Sequence, residues 1–90
     1  MMRYNVEFSR AAKRELKKFD RSTAAFILAW IGKNLVGCEN PRIKGKGLSG
    51  NLSGKWRYRI GDYRIIANIS DETVTILVLE IAHRREVYND

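Results

Sequence analysis

The sequence predicts an α+β fold in a single domain, residues 1–90: an N-terminal strand, a two-helix hairpin, then a three-stranded antiparallel meander forming one sheet, with the helices packed on one face. Three observations predict it. Residues 3–8 alternate between apolar and polar, residues 10–36 switch to helical spacing with two apolar stripes, and residues 56–81 return to alternation interrupted by turn residues. Ninety residues leave no room for a second domain.

In the first strand Tyr4, Val6 and Phe8 share one face and Arg3, Asn5 and Glu7 the other. Ser9 supplies an N-cap for a helix over Arg10 to Phe19, whose apolar positions are Ala12, Leu16 and Phe19. Arg10, Lys13, Arg14, Lys17 and Lys18 cover the remainder, so this helix is short, amphipathic and strongly basic. After a break near residues 20–22, Thr23 to Val36 places Phe26, Ile27, Trp30, Ile31 and Leu35 on one broad face, a second helix expected to pack back on the first. Residues 37–55 hold five of the seven glycines and the only proline, which makes them the loop zone. Gly45 to Gly50 spells G-x-G-x-x-G, but no strand precedes it and no helix follows, so it is no dinucleotide fingerprint. Gly50 to Lys55 is no phosphate loop either, because Trp56 stands where Ser or Thr is required. Trp56 to Ile60 and Tyr63 to Ile69 then form a hairpin over Gly61-Asp62, and Thr73 to Ile81 follows Ser70-Asp71-Glu72.

Lys and Arg number 17 against 10 acids, a formal charge of +7, and this excess points to a polyanionic partner, most simply nucleic acid. Cys38 is the only cysteine and His83 the only histidine. No intramolecular disulfide can form, no zinc site can be assembled, and neither metal nor other cofactor is expected. A reducing, cytoplasmic setting follows, with no membrane partner: the longest apolar run, Ala24 to Ile31, is far short of the roughly 20 residues that span a bilayer.

A two-residue turn at Gly61-Asp62 sets Ile60 opposite Tyr63, Arg59 opposite Arg64, Tyr58 opposite Ile65 and Arg57 opposite Ile66. Arg57, Arg59 and Arg64 therefore share one face. Trp56, Tyr58, Ile60, Tyr63, Ile65, Leu77, Leu79 and Ile81 are expected on the other, under the helices. Like charges directly opposite destabilise a sheet by up to about 1 kcal/mol, a strain that a polyanion would relieve. Residues 42–64 carry seven Lys or Arg against the single acid Asp62. Lys44, Lys46, Lys55, Arg57 and Arg59 thus form the core of a phosphate-binding groove, rather than a solvated sheet face.

The C-terminus gathers His83, Arg84, Arg85, Glu86 and Tyr88 just past the last strand. If Val78 pairs with Arg64, the parity of Arg84 turns it into the same groove, and Arg85 adds a further RNA contact. Cleaving RNA without a metal requires a base for the 2′-hydroxyl, cations for the phosphorane charge and an acid for the 5′ oxygen. Arginine supplies only the cations, so proton transfer falls to Tyr88, His83 or Glu86.

The segment KWRYRIGDYRII, followed at the C-terminus by HRREVY, resembles the RelE/ParE superfamily of bacterial and archaeal toxins, on the RelE side. NVEFSRAAKRELKKF and PRIKGKGLSGNLSG extend the resemblance over nearly the whole chain. It implies a RelE-like fold with the element order read above from periodicity. It also implies the toxin of a type II toxin–antitoxin system, an mRNA interferase that enters the ribosomal A site and cuts the message by metal-independent 2′-hydroxyl attack, so inhibiting translation. The implied partners are the ribosome, mRNA and an acidic RelB-like antitoxin, and the toxin–antitoxin complex becomes a candidate for operator DNA binding. By motif, the arginine of the YR pair falls on Arg64, the arginine after the third long strand on Arg84, and the terminal catalytic tyrosine on Tyr88. Two basic residues of the first hairpin strand, lysines in the best-known member, fall on Arg57 and Arg59. Arginine keeps the charge there but excludes proton exchange, which leaves more to Tyr88 or His83. A ParE-like inhibitor of DNA gyrase and a non-catalytic nucleic-acid-binding module of the same fold are the alternatives.

Overall fold

The computed structural model describes residues 2–83; Arg84, Arg85, Glu86 and Tyr88, and with them the expected parity of Arg84, lie outside the described residues. The strands are β1 (Asn5–Phe8), β2 (Lys46–Gly47), β3 (Trp56–Ile60), β4 (Tyr63–Ser70) and β5 (Thr75–His83), and the helices α1 (Arg10–Lys18) and α2 (Arg21–Asn34). They build a five-stranded sheet in the order β1-β5-β4-β3-β2. β1 runs parallel to β5 and every other pair is antiparallel. The expected meander is β3-β4-β5; the two-residue β2 extends it inside the glycine-rich loop.

Local chemistry sets the boundaries. The Ser9 hydroxyl accepts from the Ala12 amide at 3.0 Å, capping α1, and donates to the Leu79 carbonyl at 2.9 Å, which ties the cap to β5. Phe19 and Asp20 are extended, and α2 starts at once, with Asp20 as its N-cap and the Ser22 hydroxyl donating to the Asp20 carboxylate at 2.9 Å. Hydroxyls of Thr23 and Ser22 hold the Asp20 carboxyl below its ordinary pKa. At the second hairpin Val74 sits at φ +52°, in the left-handed region that a β-branched residue disfavours. That kink delays β5 to Thr75, two residues later than the sequence pattern predicts.

Ala12, Ile27, Ile31, Leu35, Tyr58, Ile60, Ile65, Ile76, Val78 and Ile81 are buried in one core between the helices and one sheet face. α1 lies over β1 and β5. α2 lies against β3, with Trp30 and Tyr58 ring centroids 6.1 Å apart. Tyr58 is wholly buried, and its hydroxyl donates to the Pro41 carbonyl at 2.5 Å; burial drives its pKa far up.

The second hairpin corrects the expected register. Arg64 pairs with Ala82, not Val78, and an irregularity between Ile66 and Ala67 places Glu80 opposite Ile66 and Val78 opposite Ala67, with Leu79 as the extra residue of β5. A bulge of one residue inverts the facing of everything beyond it. Ile76 and Val78 therefore enter the core, paired through β1 with Val6 and Phe8, whereas Leu77 and Leu79, assigned to the core by alternation, are only half-buried outside it.

Candidate functional site

The β3–β4 register is the one the turn dictates: Arg59 opposite Arg64, Arg57 opposite Ile66. Gly61, at φ +59°, takes the first central position of a type II′ turn, which requires left-handed backbone. Its α-carbon also passes close to Phe26 of α2, since a Cβ there would stand 3.3 Å from the ring.

Paired residues lie on the same side of a sheet, so the face away from the helices can be read row by row. One row runs Lys46, Arg57, Ile66, Glu80; the next runs Arg59, Arg64, Ala82. Arg57 is 9% exposed, in a neighbourhood that also buries Ile66 and Ala82, while Arg59 and Lys46 are exposed and Arg64 is half-buried. Neighbouring strands are about 4.8 Å apart and successive rows about 6.7 Å, so the four cations fall within roughly 12 Å of one another. At the hairpin end a hollow of about 120 Å³ is lined by Arg59, Gly61, Tyr63 and Arg64. Such a concave, cationic wall at a rigid turn can hold a phosphate in a fixed place, and arginine forks suit its oxygens bidentately. Glu80, not singled out from the sequence, is an acid of this face, and the even parity it shares with Ala82 was the signal for it.

Three other candidates fall elsewhere. His83 pairs with Tyr63 and so lies on the helix side of the sheet, its ring 5.2 Å from Tyr63 in an edge-to-face contact that Tyr63 repeats with Phe19 at 5.3 Å. The structure therefore does not bring His83 to the arginine face. Lys55 lines a separate hollow of about 150 Å³ with Arg42, Trp56 and Ile69, and Lys44 is exposed in the turn before β2. Arg42, one of the cations counted in the loop, is engaged by Asp71, to whose carboxylate it donates at 3.0 and 3.1 Å. Tyr4 donates to the same carboxylate at 2.5 Å. Arg42 and then Tyr4 hold Asp71 below its ordinary pKa, and Asp71 raises that of Tyr4. This clamp fixes the loop that carries Lys44 and Lys46 to the β4–β5 turn. The glycines of the false dinucleotide motif serve it too: a Cβ on Gly45 would stand 2.7 Å, and one on Gly47 2.9 Å, from the Trp56 indole, so both let β2 lie flat on that ring.

No helix among the described residues is long and apolar enough to cross a membrane, and no group of three or more His, Cys, Asp or Glu among them is placed to hold a metal ion.

A small α+β fold with a cationic sheet face is what this arrangement defines. The family described as the ParE toxin of type II toxin–antitoxin systems matches residues 6–88, and the chain belongs to this RelE/ParE family. Toxin RelG of Mycobacterium tuberculosis is 32% identical over 87 residues, covering 97% of this chain and 98% of its own length. Toxin RelE of the same organism is 31% identical over 85 residues, 94% of this chain and 86% of its own. A crystal structure of a RelBE-type toxin–antitoxin complex from M. tuberculosis superimposes with a TM-score of 0.83 at 32% identity, covering 91% of this chain and 99% of that one. The isolated Escherichia coli RelE toxin shares the fold, with a TM-score of 0.70 at 22% identity over 89% of this chain and 83% of that one.

Proposed function

We propose that this toxin is a ribosome-dependent endoribonuclease that cuts mRNA in the A site and so inhibits translation. The observation that carries the reading is the direct opposition of Arg59 and Arg64 beside the phosphate-sized hollow they line, with Arg57 one row behind. Folding gains nothing from that opposition, whereas a trigonal-bipyramidal phosphorane, with more negative charge than the ground-state diester, gains a great deal. In the proposed reaction the 2′-oxygen loses its proton and attacks phosphorus, the bond to the 5′-oxygen breaks, and that oxygen takes up a proton. Arg57, Arg59, Arg64 and Arg84 polarise the phosphate; Lys44, Lys46, Lys55 and Arg85 hold the flanking strand. Tyr88 handles the protons, as the resemblance implies. His83, packed on Tyr63 on the helix side, supports the end of β5 that precedes Arg84 in the chain. An acidic RelB-like antitoxin is the proposed inhibitor, and the joint complex the proposed operator-binding form.

A second reading, a ParE-type inhibitor of DNA gyrase, is favoured by the description of the matching family. Expression of wild type, Arg64→Ala and Arg84→Ala in cells tests the first. Growth arrest lost in both variants, with the proteins still folded, supports the groove. Full toxicity in both, with plasmid supercoiling altered, would establish the gyrase reading instead.

A further inference from the structure

The basic stripe of α1 is not absorbed by the sheet-face site. Arg10, Lys13, Arg14, Lys17 and Lys18 are all exposed on this helix, while Ala12 is buried and Glu15 and Leu16 half-buried. The helix's only acid, Glu15, is turned inward, where its carboxylate accepts from the Ile81 amide at 2.8 Å. The cations therefore stand without an acidic neighbour on their own helix. Their spacing works against the helix: Arg10 meets Lys13 and Arg14, Lys13 meets Lys17, and Arg14 meets Lys17 and Lys18 at three- or four-residue separations, where like charges repel. Arg10 and Lys13 also stand near the positive end of the macrodipole, in a helix with no acid in its first turn.

α1 covers the helix side of the sheet, and the arginine rows face the other way. The helix layer is about 10–12 Å thick, more than the roughly 8 Å Debye length at physiological salt, so the two basic surfaces act independently and one phosphate chain cannot lie on both. The exposed side of α1 also lacks apolar anchors, having only Ala11 among its cations, whereas neighbouring α2 exposes Phe26 and Leu28. A peptide partner draws its affinity from buried apolar and aromatic anchors, but a nucleic-acid backbone is bound by cations alone.

We propose that the exposed side of α1 is a second polyanion site, which grips the phosphates of double-helical RNA while the sheet face holds the scissile strand. The choice of RNA rests on the ribonuclease reading; the surface itself does not. Nine helical residues span about 13 Å, enough to follow two or three phosphates along one strand.

The test is anisotropy titration of a blunt 20-base-pair RNA duplex, from about 50 to 200 mM salt, with no ribosome present. Wild type is compared with the triple variant Lys13→Gln, Arg14→Gln, Lys17→Gln, and with the double variant Arg59→Ala, Arg64→Ala. Glutamine keeps helix propensity, and retained single-stranded RNA binding reports a folded triple variant. The triple variant should bind duplex roughly 10- to 100-fold more weakly, with a log–log salt slope shallower by about 2 to 3, while the double variant keeps duplex binding within about threefold. Unchanged duplex binding by the triple variant would overturn the proposal. So would a triple variant that loses antitoxin binding but not duplex binding, or tighter binding of a DNA duplex of equal length. If duplex binding runs through α1 but no message is cut on ribosomes, the ribonuclease reading fails and this site stands. If messages are cut but α1 does not bind duplex, only this inference falls.

Discussion

The opposition of Arg59 and Arg64 can be measured as a coupling energy. Directly opposed residues have Cβ atoms about 5 Å apart, and with the guanidinium groups splayed to about 6 Å in a water-like dielectric their repulsion is about 0.7 kcal/mol at low salt. In 1 M salt, with a Debye length near 3 Å, it falls to about 0.1 kcal/mol. The perturbation is a double-mutant cycle of Arg59→Ala, Arg64→Ala and the pair, followed by urea denaturation at both salt concentrations. Because the cycle subtracts whatever else either arginine touches, the remaining term is the pair itself. Its sign should be destabilising, it should shrink with salt, and it should vanish when a short single-stranded oligonucleotide is present at saturation. A stabilising coupling, or one indifferent to salt and oligonucleotide, would show that this face is not under the electrostatic strain from which the site is inferred.

Further predictions test the frame that carries the site. Tyr58→Phe leaves the Pro41 carbonyl without its buried donor and should cost about 1–2 kcal/mol, read as a Tm lower by roughly 5–10 °C. Gly45→Ala drives a Cβ to 2.5 Å from the Arg57 carbonyl oxygen and 2.7 Å from the Trp56 ring; β2 must lift, destabilising the fold by about 1–3 kcal/mol and shifting Trp56 fluorescence to the red. The clamp should leave a pH signature at both ends. Asp71 is lowered from 3.8, so its contribution is complete above that value and is lost as pH falls through the folded pKa; Tyr4 is raised from 10.0, so its contribution holds below 10 and is lost as pH rises through the folded value. Asp71→Asn should flatten both limbs of the Tm profile. In a single-turnover assay, Tyr88→Phe should slow cleavage far more than it weakens RNA binding.

Much of the hairpin was legible because two-residue turns fix register. Gly61-Asp62 alone dictates which residues face one another on β3 and β4, and with that the arginine face. The second hairpin was not legible, since its register depends on Leu79 bulging out and on Val74 taking a left-handed backbone, and neither is written in alternation. That one bulge put Ile76 and Val78 into the core in place of Leu77 and Leu79. His83 misled for a related reason: proximity in sequence to Arg84 says nothing of the sheet face, and the Tyr63 pairing sends it to the other side. Gly45 and Gly47 spelled part of a dinucleotide fingerprint without its context; their use, a flat approach to Trp56, is visible only in three dimensions.

The central claim is chemical, and an in vitro translation reaction tests it most directly. Purified toxin is added with and without ribosomes, and the message is mapped by primer extension. Cuts confined to codons in the A site, absent without ribosomes and absent with Arg64→Ala, are the predicted result. A message that stays intact on translating ribosomes at saturating toxin would contradict the account.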